Sequence, residues 1–391
     1  MNIWTDYKKI PLPDLLSFIV DNRGKTVPTA DDGNHILIAT NCIRNENLYP
    51  SYEKVRLLSE ETYQNWFRAH PVPGDIIFVC KGTPGRTCMV PDPIDFCIAQ
   101  DMIALRTNPA LIYNKFLLVV LRSRNIQEQI TNTSVGDVIP HFKKQFLDQL
   151  LIPVPFMEVQ RKIGDLYFSL ALKEELNKKI NENLQAQAQA IYQHMILDNA
   201  DYSWTPGVLS DIAVITMGQS PKGESYNEEG VGTAFFQGRA EFGFRFPTRR
   251  LYTTDPKRMA RANDALMSVR APVGDMNVAY EDCCIGRGLG AIRSKDGHQS
   301  FVLYTMLALR EQLNVFNGEG TVFGSINRDA LNSMPIDIPP QEIIDQFEDI
   351  VAPMDAAIRN NYDEICRLQA LRDSLLPRLM SGELDVSELD L

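Results

Sequence analysis

The stretch GDIIFVCKGTPGRTCMV (Gly74–Val90) decides how the chain is organised, because it returns 189 residues later as NDALMSVRAPVGDMNVA (Asn263–Ala279). Each copy has the pattern of an apolar strand, a basic residue, a turn that contains proline, and a second strand. The basic residues, Lys81 and Arg270, occupy equivalent places, and each turn ends in glycine. The recurrence predicts two copies of one folding unit.

Two further pairs continue the repeat in the same order. CIAQDMIALRT (Cys97–Thr107) matches CIGRGLGAIRS (Cys284–Ser294), 187 residues later. LDQLLIPVPFMEVQRKI, from Leu147, matches LNSMPIDIPPQEIIDQF, from Leu331, 184 residues later. Collinear matches with a slowly drifting offset are hard to obtain by chance. We therefore predict a mixed α/β chain of the α+β kind, with two similar globular domains.

Each copy ends at a proline-rich stop and then changes to a helical pattern. The apolar positions of the two helices recur mostly at threes and fours, apart from the polar step before Leu176 in the first helix, which indicates coiled-coil-like seams. In the first helix they are Ile163, Leu166, Leu170, Leu176, Ile180, Leu184, Ala188, Ile191 and Met195; in the second, Phe347, Val351, Met354, Ile358, Tyr362, Ile365, Leu368, Leu375 and Leu379. We expect Pro340 at the first helical position, and Pro353 to kink the second helix or to delay its start.

These patterns divide the chain into four parts. We predict globular domains at residues 1–155 and 201–339, a helix at 156–200, and a second helix with a tail at 340–391. No run of eighteen apolar residues and no signal peptide is present, so we expect a cytoplasmic protein without a membrane segment. Seven cysteines without a CxxC pair are expected to be buried thiols, and five scattered histidines predict no metal site.

The net charge of −11 argues against nucleic acid only superficially, because the acidity belongs to the tail. Residues 341–391 carry −8, whereas Arg239–Arg270 carries +5. Interleaved arginines and aromatic residues in that stretch suit duplex DNA, since a guanidinium fork matches guanine edges and phosphate. The candidate DNA contacts are Lys81, Arg86, Lys143, Lys144, Gln219, Lys222, Arg239, Arg245, Arg249, Arg250 and Arg270. A solvated surface is the alternative interpretation of this charge.

No catalytic residue can be proposed from the sequence. The chain contains neither Asp-Pro-Pro-Tyr nor Asn-Pro-Pro-Tyr, no convincing nuclease carboxylate cluster with a following lysine, and no Ser/His/Asp arrangement. We therefore expect a binding protein that catalyses no reaction. A self-sufficient methyltransferase and an interaction scaffold stay open as alternatives at this point.

The strand–turn–strand GDIIFVCKGTPGR and the closing element Gly320–Ile326, which runs on to Ile336–Pro340 and a long helix, resemble the specificity subunit of type I restriction–modification systems. The resemblance covers nearly the whole chain, including its duplication. It implies two target-recognition domains joined by two long antiparallel helices, so that the domains are related by a pseudo-two-fold axis. It also implies sequence-specific binding of double-stranded DNA, with each domain reading half of an asymmetric two-part site and the helices setting the unread gap.

The resemblance implies partners as well. Methyltransferase subunits, two in number, bind the helices and bring S-adenosylmethionine, so this chain itself holds no cofactor. A restriction and translocation subunit joins later. The candidate partner-binding positions on the helices are Ile180, Leu184, Ile191, Ile358, Tyr362 and Ile365. For the acidic C-terminal helix, a solvated face and a contact with a basic methyltransferase patch both stay open.

Overall fold

The computed structural model of the chain describes residues 5–22, 26–136, 139–200, 204–318 and 324–384. The chain divides into two units, Met1–Lys179 with Asn361–Leu391 (unit 1) and Ile180–Asn360 (unit 2). Residues 320–323 of the closing element and the tail beyond Leu384 lie outside the described residues. The four predicted domain limits stay a prediction.

Unit 1 contains the first copy of the repeat, which we call module 1 (Lys9–Pro153). Its strands are β1 (Lys9–Pro11), β2 (Leu16–Val20), β3 (His35–Ile38), β4 (Arg56–Leu58), β5 (Ile76–Val79), β6 (Thr87–Met89), β7 (Phe96–Ile98), β8 (Met102–Thr107) and β9 (Leu151–Pro153). Its helices are α1 (Glu60–Asn65), α2 (Asn114–Arg122) and α3 (Arg124–Thr133), and the long helix α4 (Met157–Tyr192) follows β9.

Three small sheets build module 1, with strand orders β2-β8-β5-β6, β4-β3-β7 and β1-β9. The central strand β5 is covered on both faces, which explains why all four of its residues are apolar. Ile76 and Phe78 pack in the cluster that contains the buried helix α2. Ile77 and Val79 point the other way, into a second cluster with Ile98 of β7. The repeated stretch therefore forms the centre of the module.

Unit 2 contains the second copy, module 2 (Thr205–Ile338). Its strands are β10 (Thr205–Val208), β11 (Ala213–Met217), β12 (Tyr226–Asn227), β13 (Thr233–Phe236), β14 (Leu251–Thr253), β15 (Met259–Ala260), β16 (Ala265–Ser268), β17 (Met276–Val278), β18 (Cys283–Ile285), β19 (Leu289–Ser294) and β20 (Pro335–Ile338). Its helices are α5 (Leu209–Ile212), α6 (Gln299–Ala308), α7 (Arg310–Leu313) and α8 (Arg328–Asn332), and the long helix α9 (Gln341–Ser381) follows β20.

The sheets of module 2 repeat those of module 1. The orders β11-β19-β16-β17 and β10-β20 correspond strand by strand to β2-β8-β5-β6 and β1-β9. The remaining sheet, β12-β14-β13-β18-β15, is longer, but its pair β13–β18 is parallel as β3–β7 is. The predicted duplication and the mixed α/β class are confirmed.

Within each unit a piece of α4 packs antiparallel to a piece of α9. In unit 1, Asn177 donates a hydrogen bond to Glu364 at 2.7 Å, and Glu174, one turn earlier on α4, accepts from Arg372, later on α9, at 3.0 Å. In unit 2, the Asn181 amide donates to the Ile358 carbonyl at 3.2 Å. The Tyr192 ring lies 5.5 Å from that of Phe347. Within both units the predicted antiparallel pairing is therefore confirmed.

The predicted apolar seam of α4 is wrong in its middle part. Leu176 and Ile180 are 46% and 47% exposed, whereas the buried face there carries Glu174, Asn177 and Asn181. These polar side chains continue the spacing of three and four set by Tyr167 and Ala171. The apolar pattern misled because the buried polar groups find hydrogen-bond partners on α9, which offsets the cost of their burial.

Two prolines bear on the start and course of α9, and whether Pro353 kinks the helix stays a prediction. α9 begins at Gln341, and the Pro340 carbonyl accepts from the Ile343 amide at 2.9 Å, so Pro340 is the cap rather than the first helical residue. Pro353 does not delay the start, because it lies inside the helix. It lacks an N–H for the carbonyl of Asp349, and both residues are exposed, so water can satisfy that carbonyl. In the described part of the chain, no helix is long and apolar enough to cross a membrane.

Candidate nucleic-acid interface

The hairpin turn after the central strand has one geometry in both modules. The Gly85 amide donates to the Val79 carbonyl at 3.0 Å, and the Gly274 amide donates to the Ser268 carbonyl at 3.0 Å. The two glycines have φ of +89° and +92°, a left-handed backbone that a Cβ would strain. The turns therefore take their shape from the backbone, although their side chains differ.

Lys81 and Arg270 emerge from equivalent places in these turns. Lys81 forms a β-bridge with His141, and Arg270 forms the same bridge with Ser325. The next residue in each turn also donates a backbone hydrogen bond to the same crossing segment, at 2.9 Å in module 1 and 3.0 Å in module 2. Both cationic side chains are exposed. The predicted equivalence of the two residues is confirmed.

A second turn adjoins the hairpin turn in each module. It closes through the bond from Met102 N to Ala99 O in module 1 and from Leu289 N to Gly286 O in module 2. The two turns are joined because the Cys80 amide donates to the Asp101 carbonyl at 2.8 Å, as Val269 does to Gly288 at 2.9 Å. We call the surface formed by both turns the turn edge of a module.

The tip of the second turn is Gln100 in module 1 and Arg287 in module 2. Neither residue is among the predicted DNA contacts, because neither belongs to a cluster of charge in the sequence. The signal was nevertheless present: the offset of 187 that aligns Cys97 with Cys284 also aligns Gln100 with Arg287. Each tip therefore lies one backbone hydrogen bond away from the hairpin turn that presents Lys81 or Arg270.

The turn edge of module 2 gathers further polar side chains. Backbone hydrogen bonds place the exposed Gln219 and Gln237 there: the Gln219 backbone N–H donates to the Ile285 carbonyl at 2.9 Å, and the Gly288 N–H donates to the backbone carbonyl of Gln237 at 3.0 Å. A Cβ on Gly286 would lie 2.8 Å from the Cα of Gln237, so these segments approach as closely as they do only because glycine stands there. Lys222 is exposed in the loop that follows Gln219, 3.9 Å from Glu224.

The candidates of module 1 outside the hairpin turn are less concentrated. Lys143 is exposed directly after Phe142, whose amide donates to the Cys80 carbonyl. Its neighbour Lys144 forms an ion pair of 3.1 Å with Asp21. Arg86 closes the hairpin turn and is partly buried. The structure therefore places Lys143 and Lys144 beside the segment that joins the turn edge.

The arginine-rich stretch of module 2 is largely neutralised by carboxylates of the same unit. Arg245 is the clearest case, because it is 6% exposed and pairs with Asp355 of α9. Its burial gives it no surface to offer to DNA, which corrects its selection as a contact. Three other arginines of the stretch are exposed but paired: Arg239 with Asp275, Arg249 with Glu281 at 2.6 Å, and Arg250 with Glu241 at 2.9 Å.

The helix candidates separate into covered and accessible positions. Ile358 and Ile365 are buried against their own unit, so they stabilise the fold and leave no surface for a partner. Tyr362 is partly buried and already has a contact within the chain. Ile180 is exposed, and Leu184 and Ile191 are partly exposed on the same helix. The most exposed candidate is therefore Ile180 of α4, whereas Leu184, Ile191 and Tyr362 are each partly buried.

The thiols are buried with one exception. Burial raises the pKa of Cys97 and of Cys283 to about 12, so neither is a thiolate nucleophile at neutral pH. Cys366 of α9 is exposed, which corrects the expectation that all seven are buried. Among the described residues, no group of three or more His, Cys, Asp or Glu side chains could hold a metal ion.

Comparison with known proteins assigns the family. The model of the type I restriction modification DNA specificity domain matches residues 6–186 and again residues 203–365. A putative type I restriction enzyme MjaX specificity subunit of Methanocaldococcus jannaschii is 29% identical over 80% of this chain and 79% of its own length. The HindI specificity subunit of Haemophilus influenzae is 22% identical over 80% of this chain and 86% of its own.

A solved structure supports the fold. The S subunit of a type I restriction–modification system from M. genitalium has a TM-score of 0.64 at 16% identity, covering 96% of both chains. The HsdS subunit from Thermoanaerobacter tengcongensis is 26% identical over 97% of this chain, with a TM-score of 0.37. Each match covers one of the two modules that the strands define and continues into the long helix that follows it. The chain thus belongs to the family of type I restriction–modification DNA specificity subunits and carries two copies of its domain.

Proposed function

We propose that this chain is the DNA-reading subunit of a type I restriction–modification complex, and that each module reads one half of a two-part asymmetric sequence. The observation that carries the proposal is the repeated turn edge, in which one backbone arrangement presents an exposed cation, Lys81 or Arg270, beside a tip that differs between the modules. Shared cations suit the phosphates, which are the same in every sequence, and differing tips suit the bases. Action on DNA in the cytoplasm is part of this proposal.

Methylation mapping tests it. The full chain is co-expressed with the methyltransferase subunit of its own system, and the modified duplex sequences are read from the host genome. We expect two different short sequences separated by an unread gap. A single continuous sequence, or no modified sequence from a complex that assembles, would contradict the proposal.

We further propose that the chain performs no chemistry and that S-adenosylmethionine binds to the methyltransferase partner. Titration calorimetry of the chain alone with S-adenosylmethionine should give no binding heat, whereas the assembled complex should bind it. Saturable binding by the isolated chain would favour the alternative, a self-sufficient methyltransferase.

The long helices are the proposed docking site for the methyltransferase subunits, with the restriction and translocation subunit joining that assembly. Support comes from Ile180, which is 47% exposed on α4, with Leu184 one turn further along the helix. An exposed isoleucine on a helix is an anchor of the kind that a partner protein covers.

An Ile180→Asp variant tests the docking site against a matched control. It should lower co-purification of the methyltransferase at least tenfold, because a charge would be buried in the interface. Val231→Asp makes a comparable change at a 57% exposed valine of module 2, whose hydrogen bonds are to Asn227, 4 residues earlier, and should have no effect. If both variants retained or lost the methyltransferase to the same extent in co-purification, α4 would not be the docking site.

A further inference from the structure

The tips of the second turns occupy the same place in both modules and differ in side chain. Met102 N donates to Ala99 O at 3.2 Å around Gln100, and Leu289 N donates to Gly286 O at 3.0 Å around Arg287. The flanking strands β7 and β8 correspond to β18 and β19 in order and direction. The difference between the tips is therefore a difference of side chain on one scaffold.

The neighbours of the tips are shared. The residue after each tip accepts a backbone hydrogen bond from the hairpin turn, through Asp101 in module 1 and Gly288 in module 2. The residue that follows the donor in each hairpin turn is the exposed cation, Lys81 or Arg270. A duplex whose phosphate lies against that cation would bring base edges close to the tip.

Among the described residues, the Gln100 side chain has an oxygen without a hydrogen-bond partner, and the Arg287 side chain has no ion pair. The Oε1 atom of Gln100 is buried and has no hydrogen-bond partner there, which costs free energy. The Gln100 side chain as a whole is only partly buried, so a change of rotamer would turn this oxygen towards a donor on a base. Arg287 is exposed, and its guanidinium forms no ion pair with any carboxylate that the structure describes. Most arginines of the nearby Arg239–Arg261 stretch are, by contrast, paired.

The chemistry of the two side chains points to different bases. A glutamine amide donates and accepts in the pattern that matches N6 and N7 of adenine, and a guanidinium donates twice to O6 and N7 of guanine. We propose that Gln100 and Arg287 are specificity-determining residues, Gln100 reading an adenine in the half-site of module 1 and Arg287 a guanine in that of module 2. This inference rests on the proposed function, because it requires that each module reads a half-site.

The test exchanges the tips while keeping everything else. Gln100→Arg and Arg287→Gln are made separately in the full chain, which is co-expressed with its methyltransferase, and methylated sequences are mapped for each variant and for the unaltered chain. We expect Gln100→Arg to change one base pair of the first half-site from A·T to G·C, with a preference shift of tenfold or more. Arg287→Gln should make the opposite change in the second half-site only.

The controls are Lys9→Gln in β1 and Lys295→Gln directly after β19, which change exposed cations outside the turn edges and should leave both half-sites unchanged. Thermal melting of each variant shows that it is folded. Unchanged half-sites in both tip variants would overturn the inference, as would a folded variant that loses methylation equally at every sequence, because that result marks a phosphate contact. If the unaltered chain gives no two-part sequence, the proposed function has failed rather than the assignment of the tips.

Discussion

Arg106 and Asp75 form a two-pronged ion pair in which two guanidinium nitrogens donate to two carboxylate oxygens, each at 3.0 Å. Asp75 is 2% exposed and also accepts from the backbone amide of Val72 at 3.0 Å. Arg293 and Asp264 repeat this pair in module 2, at 2.7 and 2.6 Å. The pair ties the turn before the central strand to the neighbouring strand, so it positions the turn edge at the opposite end of that strand.

Arg106→Ala should destabilise the protein by about 3–5 kcal/mol, because it leaves the buried Asp75 carboxylate without its countercharge. Asp75→Asn should cost less, about 1–3 kcal/mol, since the partly exposed Arg106 can be hydrated when its partner is neutral. Urea unfolding of the two variants measures the difference. A greater cost for Asp75→Asn would contradict the assignment of the aspartate as the buried member.

The polar seam of unit 1 gives a second prediction. Glu174 accepts hydrogen bonds from Gln369 and Arg372 of α9, and Lys178 pairs with it at 2.7 Å. Glu174→Ala should cost about 1.5–3 kcal/mol, because Arg372 and Gln369 lose a buried charged acceptor and Arg372 keeps only the exposed Asp373 as a countercharge. Leu176→Ala, at the exposed position two residues away, is the control and should change stability by less than about 1 kcal/mol. If urea unfolding showed a larger loss of stability for Leu176→Ala than for Glu174→Ala, the apolar seam that the sequence predicts would be correct.

The shared cations should act on affinity without changing specificity. Lys81→Ala and Arg270→Ala are each expected to lower the slope of log affinity against log salt by about 0.9, the value for one phosphate contact. Duplex binding by the assembled complex at several salt concentrations measures the slope, and methylation mapping should give unchanged half-sites. A changed half-site would show that the cation reads bases.

The proposed role of the helices in setting the gap predicts the effect of lengthening both. Seven residues are inserted after Lys179 in α4 and seven after Asn360 in α9, where the chain passes from one unit to the other. Seven helical residues add about 10 Å, which corresponds to about three base pairs of duplex. Methylation mapping should show a gap longer by about three base pairs and the same two half-sequences. If the gap were unchanged in a complex that still methylates DNA, the helices would not set the distance between the half-sites.

The repeat was the most informative part of the sequence. Its offsets align not only strands but also hydrogen bonds, since Lys81 and Arg270 form equivalent bridges. A near-continuous apolar run could predict this because β5 and β16 are buried on both faces, so that their residue types are dictated by packing. The fold class could thus be read from the sequence alone.

The predictions that were wrong concern residues whose contacts in the structure are made by residues far away in the sequence. Leu176 and Ile180 fit a helical stripe, but the seam runs through Glu174 because Arg372, almost two hundred residues later, lies opposite. Arg245 lies in a cluster of arginines in the sequence, but Asp355 of α9, 110 residues later, pairs with it in the interior. Local pattern shows charge and periodicity, whereas burial and pairing are set by the tertiary structure.

The most direct test of the account is an exchange of module 2. Residues 205–338 are replaced by the equivalent residues of a relative whose methylated sequence is already mapped, and the chimera is expressed with the methyltransferase of the original system. If each module reads its own half, the mapped sequence should keep the first half and the gap, and acquire the second half of the relative. If the chimeric complex still methylates DNA but both half-sequences change, or neither does, the claim that each module reads its own half is contradicted.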